Sequence, residues 1–195
     1  MTPRGNGGLR ERKKLQTWRT IRTAAFELIG ERGFEAVSVE EIAAAANVSR
    51  STLFNYFPTK EAIVLDPDPE EPEVWRALLR ARPGGEPLWA SLREVQLGYL
   101  GSMADRLVIQ KRLKAASPKL AESTREMGAQ FHADVREWAH GHAPGDPVAT
   151  TLMVNTAFSA LSTAYALWSP EDGFERLRAV AQECFDRVGK GFDAG

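Results

Sequence analysis

Residues 38 to 60 read SVEEIAAAANVSRSTLFNYFPTK, and helix start signals recur in this stretch at intervals that leave room for only short helices. Ser38 offers an N-cap oxygen with Glu41 three residues on, the two halves of a capping box, and Val37 is placed to staple onto Ile42. Ser49 repeats the arrangement one helix later, with Val48 set to staple onto Leu53. Asn47, between them, can adopt the positive φ that a tight turn requires. Pro58 forces Phe57 out of helical geometry, and Thr59 then caps a further helix. Upstream, Trp18, Ile21, Ala25, Leu28 and Ile29 recur at helical spacing, and Gly33 can take the left-handed turn that lets Phe34 fold back on Ile29 in a Schellman arrangement.

Helical spacing continues through the rest of the chain, and no segment alternates apolar and polar residues for long, so the expected fold is all-α. Of 195 residues, the front is basic: residues 1 to 60 carry ten Lys or Arg against six Asp or Glu, leaving fifteen against twenty afterwards. Clustered positive charge at one end suits a polyanionic partner. The run DPDPEEPE after Leu65 breaks regular structure and reads as a connection between lobes. The domains expected are a flexible arm over 1–9, a small helical domain over 10–65 and a larger helical domain over 66–195. Helices are predicted over 73–82, 87–104, 105–115, 118–140, 147–168 and 171–189. Ser117-Pro118, Asp146-Pro147 and Ser169-Pro170 supply start signals. RPGGEP and HGHAPGDP read as loops.

Composition narrows the function classes. Cys184 is the only cysteine, which excludes an intrachain disulfide and fits a reducing compartment. The first twenty residues lack the apolar core of a secretion signal, so a cytoplasmic protein is expected. Val148 to Trp168 holds no charged residue, yet its scattered Thr, Ser and Asn favour a helix buried among others over a membrane span. His132, His140 and His142 are completed by no cysteine or carboxylate pattern, and no glycine-rich phosphate loop, nucleophile elbow or H-E-x-x-H motif occurs. Neither a metal, a cofactor nor catalysis is expected, and Cys184 sits on an apolar stripe as an inert thiol.

Ile42, Ala43, Ala46, Val48 and Leu53 form the inner face of a helix-turn-helix, with small Ala43 permitting close helix crossing. The outer face of its second helix is then Ser49, Arg50, Thr52, Asn55 and Tyr56. A short helix anchored from behind and fronted by such side chains suits the major groove of double-stranded DNA, where Arg50 can pair with guanine and Asn55 with adenine.

Residues 22 to 64, RTAAFELIGERGFEAVSVEEIAAAANVSRSTLFNYFPTKEAIV, resemble the DNA-binding domain of TetR-family transcriptional regulators. The resemblance implies that Tyr56 and Lys60 hold phosphates, that Ser38 and Val39 meet phosphate at the start of the first motif helix, and that Arg50, Ser51, Thr52 and Asn55 face bases. This sequence departs from the family pattern with Asn47 where glycine is usual, Ser51 where glycine is frequent, and Phe54 where tyrosine is frequent; the last removes a hydroxyl from the interface. Arg10, Arg12, Lys13 and Lys14 stand before or within the first turn of the preceding helix, where they can follow the DNA backbone or enter the minor groove.

The same resemblance implies a dimer and a ligand pocket built by the C-terminal helices. The Ala-, Ser- and Thr-rich helix from Pro147 to Trp168 and the stripe Leu177, Val180, Ala181, Cys184 and Val188 suit a dimer seam, though the same spacing also suits an intrachain core. Trp89, Tyr99, Met103, Met127, Phe131, Trp138, Phe158 and Tyr165 are the candidates around a pocket. LLRARPGGEPLWASLREV is similar to the subgroup with an acyl-CoA-like ligand domain. The reading is a ligand-responsive regulator, a repressor by family likeness, gripping a near-palindromic operator as a homodimer and released by a small hydrophobic effector, with acyl-type compounds as the first candidates. A dimeric small-molecule carrier or sensor with weak DNA binding is the alternative.

Overall fold

The computed structural model describes residues 7–116 and 125–192, with side chains over 8–115 and 128–191. Residues 1–6 of the expected arm, the Ser117-Pro118 start signal and the Met127 side chain lie outside them. Among the described residues every regular element is helical, as the periodicity predicts: α1 (Gly7–Arg32), α2 (Val39–Ala45), α3 (Arg50–Tyr56), α4 (Lys60–Leu65), α5 (Glu71–Arg80), α6 (Leu88–Ser102), α7 (Ala104–Ala116), α8 (Arg125–His142), α9 (Pro147–Leu167) and α10 (Gly173–Phe192), with a 3-10 turn at Pro170–Asp172.

The chain divides into two compact units, 1–69 with 109–123, and 70–108 with 124–195. In the first, α1 lays Trp18, Ile21, Ala25 and Ile29 against Val37, Ile42, Ala43, Leu53, Phe57, Ile63 and Val64. The Trp18 and Phe57 rings meet at 5.3 Å. The later turns of α7 belong to this unit as well, unlike the expected division at residue 66. Leu113 is buried in the core, and Gln110 Nε2 donates to the Val64 carbonyl at 2.9 Å, satisfying a carbonyl near the end of α4. Arg22 is buried beside them, donating to the same carbonyl at 3.3 Å with its guanidinium 4.7 Å from the Trp18 ring.

The helix endings follow the predicted punctuation with one exchange. Gly33, at φ +84°, closes α1 with a single bond from its N–H to the Ile29 carbonyl at 2.8 Å, the αL form of ending. The Schellman arrangement occurs at the end of α2 instead. There Asn47, at φ +52°, donates to Ala44 at 3.0 Å and Val48 to Ala43 at 2.9 Å. Helix α1 starts at Gly7, so residues 7–9, read as part of a flexible arm, are helical. Helix α8 runs through His142, so His140 and His142, read as loop residues, are helical too. His142 gains a stacking partner in Trp138 at 4.4 Å, which favours extending the helix.

The second unit pairs α9 with α10 and packs α6 against both, while α5 lies on α6 and α8. Trp75, Trp89, Leu92, Val95, Tyr99, Phe131, Val135, Val154 and Phe185 form its main core. Two polar knots accompany it, one buried around Glu71 and one partly exposed around Asp134. Glu71 accepts from the Tyr99 hydroxyl at 2.7 Å and pairs with Arg106. Asp134 accepts from Trp75 Nε1 and Arg76 Nε, both at 2.9 Å, and from Gln130 at 2.6 Å. Burial pushes the Asp134 carboxyl up, but these donors outweigh it and hold it below its ordinary range. No helix among the described residues is long and apolar enough to cross a membrane.

Candidate nucleic-acid interface

The helix-turn-helix is held from both ends. Ser38 Oγ accepts from Glu41 N–H at 3.2 Å while Glu41 Oε2 accepts from Ser38 N–H at 2.8 Å, completing the predicted capping box. Arg32 ties the box to α1, donating to Glu41 Oε1 and to the Ala36 carbonyl, each at 2.7 Å. Together these bonds hold the Glu41 carboxyl down at about 2. At the start of α3, Ser49 Oγ accepts from Thr52 N–H at 3.0 Å and lies 2.8 Å from the Thr52 hydroxyl. Thr59 caps α4 through Ala62 N–H at 3.1 Å, after Phe57 has turned extended at φ −133°.

Behind α3 the anchors are complete, with Leu53 and Phe57 both 0% exposed. In front, Ser49, Arg50, Ser51 and Asn55 are exposed and Thr52 and Tyr56 half-buried, so the outer face predicted from spacing is the outer face in the structure. Ser38 is exposed and Val39 half-buried at the start of α2. Lys60 opens α4 with Nζ 4.0 Å from the Phe34 ring centroid. Arg10, Arg12, Lys13 and Lys14, expected before or within the first turn of this helix, are exposed within the first turns of α1.

Three participants on this face were missed. Glu40 reaches Arg50, with Oε1 3.1 Å from Nε; Phe54 lies under the Arg50 guanidinium at 5.4 Å; Phe34 lies beside Lys60. The Phe54 approach follows one-turn helical spacing and was open to sequence reading. The Glu40 pair depends on how α2 and α3 cross and the Phe34 approach on how the turn after α1 meets α4, and no local pattern carries either.

In the second unit, Trp89, Tyr99 and Phe131 of the predicted pocket set are buried in the main core, with Met103, Trp138 and Phe158 packed against it. Tyr99 spends its hydroxyl on Glu71 and packs on Phe131 at 4.4 Å; its phenol is pushed up by burial and by that carboxylate. Tyr165 packs at 6.0 Å from Trp168 in a neighbouring cluster. Phe158 also lines an open groove of about 520 Å³ with His132, Asn155, Ser159, Ser162 and Thr163. Cys184 is half-buried, and burial pushes its thiol up. Among the described residues no three His, Cys, Asp or Glu side chains are placed to hold a metal ion.

Comparison with known proteins agrees with this geometry. Residues 21–66 match the family described as bacterial regulatory proteins, tetR family. The HTH-type transcriptional regulator TcmR of Streptomyces glaucescens is 33% identical over 132 residues, 67% of this chain but 58% of that protein's length. The HTH-type transcriptional regulator RutR of Escherichia coli O157:H7 is 30% identical over 157 residues, 75% of this chain and 74% of RutR. A transcriptional regulator of known structure from Aquifex aeolicus VF5 superposes with a TM-score of 0.59 at 16% identity, covering 89% of this chain and 98% of that one, a likeness of fold. Since the similarity to RutR extends well past the helix-turn-helix, the likeness is not confined to a borrowed motif, and the chain belongs to the TetR family of DNA-binding transcriptional regulators, which are not enzymes.

Proposed function

We propose that this regulator is a cytoplasmic repressor that binds a near-palindromic operator as a homodimer and releases it when a small hydrophobic effector, of acyl type in the first instance, occupies the second unit. The observation that carries the DNA half is the division of α3 into a fully buried back, Leu53, and an exposed front, Arg50, Ser51 and Asn55. Arg50, Ser51, Thr52 and Asn55 face bases; Ser38, Val39, Tyr56 and Lys60 face phosphates; Arg10, Arg12, Lys13 and Lys14 add backbone charge. One such helix reads few base pairs, and a twofold pair reads two half-sites one or more helical turns apart. The dimer reading is supported by α9, which carries no charged residue and leaves Val148, Leu152 and Leu167 at 66%, 56% and 73% exposure.

A gel shift at controlled salt, comparing DNA upstream of the chain's own gene with scrambled DNA of equal length, tests the reading. Preference for the upstream DNA of at least about 1,000-fold is expected of a specific binder. Equal affinity for both favours a dimeric carrier or sensor. Effector class is tested by ligand-dependent melting with acyl-CoAs and unrelated apolar compounds, where no shift with any acyl compound removes the acyl assignment.

A further inference from the structure

Glu40, Arg50 and Phe54 form a cluster on the outer face of the first unit. Arg50, the first residue of α3, forms an ion pair with Glu40 on α2, its Nε 3.1 Å from Glu40 Oε1. Its Cζ lies 5.4 Å from the centroid of the Phe54 ring one turn further along the helix. The Arg50 and Glu40 side chains are 66% and 59% exposed, and Phe54 is 39% exposed. So wet an ion pair adds little to folding, and an exposed phenyl ring on a polar face adds nothing to the core.

What the cluster does is orient a guanidinium. An arginine can make paired bonds through its Nε edge or through its two terminal nitrogens. The Glu40 carboxylate lies beside the Nε edge, which leaves the terminal pair facing outward, and two parallel N–H groups match O6 and N7 of guanine in the major groove. Holding the side chain in place before binding removes part of the ordering penalty from the binding step. Phe54 sets the second half of the recognition. A guanidinium paired to guanine lies in the plane of that base, so a ring packed on it stands at the level of the neighbouring base pair, about 3.4 Å along the axis. The hydrocarbon group presented in the major groove at that level is the C5 methyl of thymine.

We propose that Arg50 reads a guanine in each operator half-site and that Phe54 reads the methyl of a thymine in the adjacent base pair, with Glu40 as the positioning residue that aims Arg50. The inference rests on the reading that α3 enters the major groove, and it assigns a base step that the reading leaves open. It also gives Phe54 a role: where a tyrosine hydroxyl would face phosphate, a bare ring faces a methyl group.

The test is selection of bound sequences from a randomised duplex pool with the full chain, followed by affinity measurements on the enriched site. A guanine with thymine in the adjacent pair is expected in each half-site. Replacing that guanine with adenine weakens wild-type binding about 10-fold or more. Replacing the thymine with uracil, which removes the methyl alone, weakens it about 3- to 5-fold, and this loss disappears in Phe54→Ala. Glu40→Gln keeps a polar oxygen of the same reach beside Nε and retains the preference for guanine. Glu40→Ala lowers that preference while binding scrambled DNA more tightly, because a negative charge beside the phosphates is gone; a merely structural Glu40 would weaken both. An enriched site without the guanine and thymine step, or a uracil effect equal in wild type and Phe54→Ala, overturns the inference and leaves operator binding standing. A Glu40→Ala chain with unchanged guanine preference overturns the positioning role. Failure to enrich any sequence overturns operator recognition itself, and this inference with it.

Discussion

At the scale of single residues, Glu41 shows how much one exposed carboxylate can organise. It closes the cap of α2 and receives Arg32 from α1, and its pKa is lowered from 4.5 to about 2 by the Ser38 and Arg32 bonds. A depressed carboxyl contributes stability when ionised, so the contribution is complete above about pH 4.5 and is lost as the pH falls toward about 2. Glu41→Gln is therefore expected to melt below the wild type at pH 7, with the gap narrowing steadily below pH 4.5; thermal melts across that range check it. Because the Glu41 and Arg32 side chains are each 42% exposed, added salt should narrow the gap at pH 7 as well. Lys60 is organised differently, through the Phe34 face at 4.0 Å. Phe34→Leu, which keeps bulk without the ring quadrupole, is expected to loosen Lys60 and weaken binding to all DNA sequences by a similar few-fold factor, measurable by titration against operator and scrambled duplexes.

At the scale of elements, seven-residue helices such as α2 and α3 have too few internal bonds to persist unaided, so their ends decide whether they form. Asn47 carries the turn between them at φ +52°. Asn47→Gly is expected to leave stability nearly unchanged, whereas Asn47→Ala destabilises by about 1 kcal/mol because a Cβ without a local hydrogen-bonding group disfavours that conformation. Ser49→Ala is expected to lose a similar amount through the Thr52 cap bond. Denaturant titration of the three variants separates them. These ends were legible in the sequence because a cap links residues three apart and a staple five apart, distances a linear reading covers. The Glu40 to Arg50 pair and the Gln110 to Val64 bond were not, since each requires two helices to meet across the fold. The pocket candidates show the reverse difficulty. Aromatic side chains at helical spacing mark an interior, and the bond from the Tyr99 hydroxyl to Glu71, which ties α6 to α5, is a pairing that no local pattern carries.

At the scale of the whole molecule, charge and pairing carry the expectations. Changing Arg10, Arg12, Lys13 and Lys14 to glutamine is expected to weaken binding to every duplex alike and to flatten the dependence of log affinity on log salt by up to about 0.9 for each phosphate no longer neutralised. Unchanged slopes would place these residues away from the DNA. Leu152→Glu, on the exposed stripe of α9, is expected to shift sedimentation toward the monomer, to lower the melting temperature and to make it depend less on protein concentration. The second half of α7, which completes the first unit from far along the chain, bears on anyone building hybrid sensors from this protein. A cut at the proline-rich joint after Leu65 looks like a natural seam for transplanting the reading head onto a foreign sensing body. It would strip away Leu113 and leave the Val64 carbonyl without the Gln110 amide, so a durable chimera must carry both strips of sequence as a single graft.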